Sequence, residues 1–258
     1  MTKTHIAKKR FGQNFLHDEY IINEIIKIIS PKPTDLIVEI GPGLGALTMP
    51  LIAKVGKLEV IEIDWDIISF LQKNFTNGQI NIHSADALKF DYSFNQRLIR
   101  VVGNLPYNIS TPLLFHLAVF KNIQDMHFML QKEVVERICA RPNSKDYGRL
   151  SVMLQYKFIC DKMLDVAAAS FKPQPKVESA IVRLKPLSIE ARYIVDEKVL
   201  NTVVTHAFGQ RRKTIGNSLK NIINPETFIK LGINTNLRAE NLSVAQYVLL
   251  ANSHTITC

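Results

Sequence analysis

A chain of 258 residues, 47% hydrophobic and 21% charged, has room for one large domain and one small one and has the composition of an ordinary soluble protein. No uninterrupted apolar run approaches a membrane span, the N-terminus lacks a signal-peptide core, and Cys139, Cys160 and Cys258 show no metal spacing, so a cytoplasmic protein without metal or membrane contact is expected. The net charge of +9 sits at the ends, with four Lys/Arg and no acid in residues 1–13 and eight Lys/Arg against five acids in residues 188–258. Such a distribution points either to two basic surfaces flanking a polyanion site or to ordinary solvated charge.

Lys8, Lys9 and Arg10 lead into Phe11-Gly12-Gln13-Asn14-Phe15-Leu16. This stretch is too polar and glycine-broken for a helix, yet its two phenylalanines need burial, so it reads as an ordered arm folded over a pocket. From Asp18, the isoleucines at 21, 22, 25, 26 and 29 recur on one helical face, and Pro31 and Pro33 end it. Leu36–Ile40 reads as a buried strand, followed at once by Gly41-Pro42-Gly43-Leu44-Gly45 and a helix over 46–55. Glycines between a buried strand and a helix let the backbone approach a ligand. The next strand, over 57–63, ends in Glu62, 21 residues after Gly41, where an acid is placed to hold ribose hydroxyls.

A helix over 65–75 and a strand over 79–83 lead to Asp86, which either accepts from an adenine amino group or caps a helix. A fourth strand, over 98–102, runs into Gly103-Asn104-Leu105-Pro106-Tyr107. That combination suits the amino group of a flat base. The exocyclic nitrogen of adenine is a poor nucleophile because its lone pair is delocalised into the ring. The Asn104 side-chain oxygen and the Leu105 carbonyl can accept its two hydrogens and favour a more tetrahedral nitrogen, while Pro106 fixes the turn and Tyr107 stacks on the base. The plainer reading is a turn that merely ends a strand.

Downstream, the pattern predicts a helix over 111–120, a strand over 126–130, and helices over 132–140 and 149–158. Strands over 163–168 and 179–184 are separated by too few residues for a helical crossover, so they are expected to pair antiparallel. Between them Phe171, beside Pro173 and Pro175, is either a rigid aromatic wall or a buried loop anchor. Beyond Pro186 only short helices are expected, over 196–208, 214–222, 225–231 and 243–252, with Gln210-Arg211-Arg212-Lys213 in the first turn between them. The expectation is an α/β domain over 1–187, including the arm 1–17, and an all-helical domain over 188–258.

Taken together, Phe-Gly-Gln-Asn-Phe-Leu (11–16), Glu-Ile-Gly-Pro-Gly-Leu-Gly (39–45), Glu62 with Asp64, Asp86-Ala87, Asn-Leu-Pro-Tyr (104–107), Phe171 with its prolines and Ala-Phe-Gly-Gln-Arg-Arg-Lys-Thr (207–214) resemble one family over nearly the full length. That family is the small-subunit ribosomal RNA adenine dimethyltransferases, the kasugamycin-resistance methyltransferases. The resemblance implies a Rossmann-like, mainly parallel seven-stranded sheet with one antiparallel strand. It implies S-adenosylmethionine as donor, and as acceptors two neighbouring adenosines in a hairpin near the 3′ end of 16S rRNA, each methylated twice at N6 within an immature small subunit.

Carried over motif by motif, the donor site would be Asn14, Leu16, Gly41, Glu62, Asp86 and Asn104, and the base pocket Asn104, Leu105, Tyr107 and Phe171. RNA would be held by Lys8, Lys9, Arg10, Arg211, Arg212 and Lys213, with the protein acting as a monomer. Trp65 would either contact the donor's adenosine or face the helix packing. Rival readings are a large-subunit rRNA or DNA adenine methyltransferase and a noncatalytic assembly or transcription factor on the same scaffold. A nicotinamide dehydrogenase is disfavoured by the glycine spacing and the base-clamping turn.

Overall fold

The computed structural model describes residues 13–253, so Lys8, Lys9 and Arg10 lie outside the described residues. The arm enters as a two-residue strand, β1 (Phe15–Leu16), and turns into α1 (Glu19–Ile29). The Asp18 carboxylate caps α1 by accepting from the amides of Tyr20 and Ile21, and the helix buries Ile21, Ile25, Ile26 and Ile29. Four strands follow, β2 (Leu36–Ile40), β3 (Leu58–Glu62), β4 (Ile80–Ser84) and β5 (Ile99–Asn104). Between them lie α2 (Thr48–Val55) and α3 (Trp65–Asn74). After α4 (Ser110–Leu117) comes β6 (Ile123–Gln131) and then α5 (Lys132–Cys139), α6 (Arg149–Gln155) and β7 (Phe158–Val166). The short β8 (Phe171–Lys172) precedes β9 (Ser179–Pro186).

Seven of these strands form one sheet in the order β4-β3-β2-β5-β6-β9-β7. The pairs β3–β4, β2–β3, β2–β5 and β5–β6 are parallel, and β6–β9 is antiparallel. This is the Rossmann-like, mainly parallel sheet expected from the resemblance. Parallel strands buried on both faces need continuous apolar runs, and Ile37, Val38, Val60, Val101 and Val102 are all fully buried. The register pairs Ile40 with both Ile61 and Gly103, and Glu62 with Ser84, so the carboxyl ends of β2, β3, β4 and β5 lie side by side. Strand ends at such a reversal of strand order are where open α/β sheets bind ligands.

Gly103 permits this alignment: a Cβ there would lie 2.5 Å from the Ile40 carbonyl oxygen. At the opposite end of the same strand, Arg100 fastens β5 to its surroundings. Its guanidinium donates to Asp125 at 2.9 Å, to Asp35 at 2.7 Å and to the Ile29 carbonyl at 2.6 Å. The arm strand β1 pairs antiparallel with β8 in a separate two-stranded ladder, Phe15 opposite Lys172 and Leu16 opposite Phe171.

Some expected boundaries move. The helix expected over 149–158 stops at Gln155, and Phe158 instead opens the nine-residue β7. A short apolar run does not distinguish helix from strand by period alone. The helix expected over 214–222 contracts to α8 (Ile215–Ser218), after α7 (Glu197–Gly209) and before α9 (Pro225–Lys230) and α10 (Val244–Asn252). Packing also replaces the single cut expected near residue 187. One unit takes the chain up to Val135 together with Asp161–Pro186, and the other takes Glu136–Cys160 together with the chain from Leu187 onward. The reason lies in the core of the second unit: α6 buries Val152 and Leu154, and Tyr147 meets Phe208 of α7, which in turn meets Tyr247 of α10. No helix among the described residues is long and apolar enough to cross a membrane.

Candidate active site

The aligned strand ends of the first unit enclose a cavity of about 270 Å³. Of the residues expected to hold a donor, Asn14, Leu16, Gly41, Glu62, Asp86 and Asn104 all line it, and so do Leu105 and Tyr107 of the expected base pocket. The glycine turn after β2 forms one wall. Gly43 has a φ of +55°, and a Cβ on it would meet the Phe15 ring at 3.1 Å, so the bare backbone is what lets the arm lie against the turn.

Three carboxylates face this space, each held by local geometry. Glu62, at the end of β3, accepts through Oε1 from the amides of Ile63 at 2.7 Å and Asp64 at 2.8 Å. The Asp86 carboxylate accepts from the Leu88 amide at 2.9 Å, which fixes the turn after β4. The third acid, Glu39, was not among the expected site residues. It is 2% exposed and accepts from the Thr48 hydroxyl at 2.7 Å. Burial, and after it the neighbouring Glu62 charge, push its carboxyl up to about 7 against the pull of that hydrogen bond. The signal for it was present: an acid two residues before Gly41, on a strand otherwise wholly apolar, with a hydroxyl nine residues on. Three acids around one cleft favour a ligand that carries positive charge.

The acceptor side is built by the end of β5. The Leu105 amide donates to the Met129 carbonyl at 3.2 Å, which holds the turn against β6. The Tyr107 hydroxyl hydrogen-bonds Ser179 of β9 at 2.9 Å, and the Tyr107 carbonyl accepts from Ser110 at the start of α4 at 3.0 Å. The Asn104 side-chain nitrogen donates to the Asn14 carbonyl at 2.9 Å, across 90 residues of sequence. On the other side of the arm, the Gln13 amide donates to Asp64 at 3.0 Å.

Phe171 is not brought to this cavity. It is 3% exposed, sits in β8 opposite Leu16, and belongs to a core cluster with Leu16, Ile21 and Ile25. Of the two readings left open by the sequence, the buried anchor is the one observed. Trp65 does not face the helix packing: it is 69% exposed in the first turn of α3 and is not part of the cavity wall.

In the second unit, residues 210–213 do lie in the turn between α7 and α8. Arg211, however, donates to Glu240 and to the Lys145 carbonyl, both at 2.6 Å. It ties together three loops rather than projecting alone. The same ties bring the exposed cations Lys145 and Arg238 onto the loops that flank Arg212 and Lys213, a grouping hidden in sequence because the loops are 66 and 29 residues from Arg211.

Residues 4–255 match the family model described as Ribosomal RNA adenine dimethylase. The chain is 54% identical over 249 residues to the ribosomal RNA small subunit methyltransferase A of Aromatoleum aromaticum, covering 96% of this chain and 94% of that one. It is 53% identical to the protein of the same name from Methylobacillus flagellatus, covering 96% and 98%. Among solved structures it is similar to a dimethyladenosine transferase from Plasmodium falciparum, with a TM-score of 0.81, 25% identity and 93% and 99% of the two chains covered. A 23S rRNA methyltransferase, ErmE, shares the fold at a TM-score of 0.73 and 23% identity over 93% and 99%.

Proposed function

The chain belongs to the ribosomal RNA adenine dimethylase family, and from that premise we propose that it is an S-adenosylmethionine-dependent enzyme that dimethylates N6 of two adjacent adenosines near the 3′ end of 16S rRNA. It acts as a cytoplasmic monomer on an immature small subunit. The observation that carries the reading is the meeting, in one cavity, of an acid-lined cleft and the Asn104-Leu105-Pro106-Tyr107 turn.

The residues present fit the donor. A carboxylate at the end of β3, pinned by two backbone amides, suits a ribose diol, and Asp86 suits an adenine amino group. Asn14, Leu16 and Gly41 would complete the cleft, and the buried Glu39 supplies a negative charge for a cation. When bound, S-adenosylmethionine supplies a methyl group already activated on a sulfonium. The protein therefore needs position and dipoles more than a strong base. Asn104 Oδ1 and the Leu105 carbonyl accept the two amino hydrogens of the target and localise its lone pair, and Tyr107 holds the base plane. No side chain serves as nucleophile. The proton leaves after methylation, when the nitrogen is cationic and acidic. Extruding the base from its stack costs a few kcal/mol, less from a hairpin loop than from a duplex.

Labelled donor and unmethylated small subunits, incubated with the purified protein, test the assignment: two methyl groups should appear on each of two neighbouring adenosines. Transfer to 23S rRNA or DNA in preference to the small subunit would refute it.

Glu39 makes donor binding pH-dependent. With its carboxyl raised to about 7 in the free protein, a cationic donor must expel a proton below that pH. Affinity should therefore be nearly full by pH 8 and fall as pH drops through 7, by about tenfold between pH 8 and pH 6. In Glu39→Gln the profile should be flat over the same range. Calorimetric titration of the donor at several pH values reads both, and equal wild-type affinity at pH 6 and pH 8 would remove Glu39 from the donor's charge partners.

RNA grip is assigned to the second unit. Neutralising Arg212 and Lys213 should weaken small-subunit binding and lower the slope of log affinity against log salt by about one per lost phosphate contact. Donor affinity should not move. An unchanged salt slope in the double variant would make the two residues ordinary surface charge.

A further inference from the structure

The amide of Asn104 is useful to the reaction in only one of its two orientations. Turned one way it presents an acceptor oxygen to the target amino group; flipped, it presents N–H to N–H. The two ends of a planar amide are nearly the same shape, so something outside the side chain must choose between them. In this structure the choice is made by the Asn14 carbonyl, which receives the Asn104 Nδ2–H at 2.9 Å. A backbone carbonyl can only accept, so the NH2 end faces it and Oδ1 faces away. Among the described residues none donates to that oxygen.

We propose that the Asn14 carbonyl is a positioning group for methyl transfer, selecting the Asn104 flip that turns Oδ1 toward the target nitrogen. The inference rests on the reading of Asn104 as the acceptor of the amino hydrogens. It gives Asn14 a part played by its backbone carbonyl. The carbonyl is held by the backbone around it: β1 pairs with β8 immediately downstream, and the His17 amide donates to the Ser170 carbonyl at 3.0 Å. Upstream, Gln13 is fastened to Asp64 at 3.0 Å, and the Phe15 ring lies against Gly43. The arm thus reaches the chemistry through an acceptor placed beside the reacting group.

The arrangement has a consequence for aspartate at this position. A carboxylate keeps the size of Asn104 and offers acceptors, but it has no hydrogen to give, and one oxygen would be set against the Asn14 carbonyl. The neutral acid does have a hydrogen: its O–H can donate to Asn14 while its C=O faces the target. Asn104→Asp should therefore be severely impaired at pH 8 and recover on acidification. Its rate relative to wild type should rise about tenfold per pH unit, as the neutral fraction grows. Glu39, Glu62, Asp86 and Tyr107 line the same cavity and His127 lies on the adjoining β6, so each rate is divided by that of wild type at the same pH.

The experiment is single-turnover methylation of unmethylated small subunits by wild type, Asn104→Ala and Asn104→Asp between pH 5.5 and pH 8, with donor affinity and circular dichroism measured on each protein. The expected result is a flat ratio for Asn104→Ala and a ratio rising toward acid for Asn104→Asp, with folding intact in both. A flat ratio for Asn104→Asp, or near-normal activity of that variant at pH 8, overturns the positioning role while leaving Asn104 as acceptor. Near-normal activity of Asn104→Ala overturns the acceptor reading on which it rests.

Discussion

Replacing Asn104 by alanine is expected to slow methyl transfer by roughly 100- to 1000-fold while leaving the fold and RNA binding in place. The size follows from removing one preorganised polar partner of the reacting group, which typically costs about 2.7–4 kcal/mol of transition-state stabilisation in the oxyanion-hole case taken as a guide. The separation from RNA binding follows from location. Asn104 lines the cavity of the first unit, whereas Arg212 and Lys213 belong to the second. The separation from stability follows from geometry: among the described residues the Asn104 side chain makes one hydrogen bond, to Asn14, and β5 is held by its ladders to β2 and β6. Near-normal single-turnover rates for Asn104→Ala would demote the turn to scaffold. From the residues alone, aspartate is the milder substitution, since it keeps an acceptor of the same size. The Asn14 carbonyl reverses that expectation near neutral pH.

Arg100→Ala is expected to destabilise the first unit by about 3–5 kcal/mol, the usual consequence of leaving buried charges without their partner. The side chains of Arg100, Asp35 and Asp125 are only 8%, 10% and 14% exposed, so solvent screens the pair of carboxylates poorly once the guanidinium is gone. The loss would add unsatisfied carbonyls at Ile29 and, at 3.4 Å, Ser30, which terminate α1. Arg100→Lys keeps the charge but not the planar fork that reaches both acids and the helix end, and should fall between the two. Urea unfolding followed by circular dichroism reads the change. A midpoint within error of wild type would show that the two acids find other partners or protonate. Arg100 and Asn104 stand at opposite ends of β5, so the same strand that is fastened at one end presents the chemistry at the other.

Strands β2 to β5 and the polar residues at their ends were legible because each is a local pattern: an apolar run with Gly41, Glu62, Asp86 or Asn104 at or just beyond its carboxyl end. What was not legible depends on partners far away in sequence. The Asn14–Asn104 bond spans 90 residues, and nothing in either segment announces it. Phe171 carries the same local pattern whether it faces a ligand or the core, and its burial in a cluster with Leu16, Ile21 and Ile25 depends on residues about 150 positions away. Arg211 stands in a basic run, but Glu240 and the Lys145 carbonyl make it a tie between loops. The composition change after Pro186 is visible, yet the second unit begins earlier, because Tyr147, Val152 and Leu154 complete a core whose other half lies on α7 and α10. Glu39 was readable as part of a motif. Its burial beside Glu62, which lifts its carboxyl, required the folded sheet.

The central claim is that this chain methylates two adjacent adenosines of the small-subunit rRNA. Nucleoside mass spectrometry of 16S rRNA from cells lacking the protein tests it most directly, with wild type and Asn104→Ala returned in separate cultures. Loss of N6,N6-dimethyladenosine, restored by wild type and not by Asn104→Ala, is the predicted result. Undiminished dimethyladenosine in the cells without the protein would contradict it.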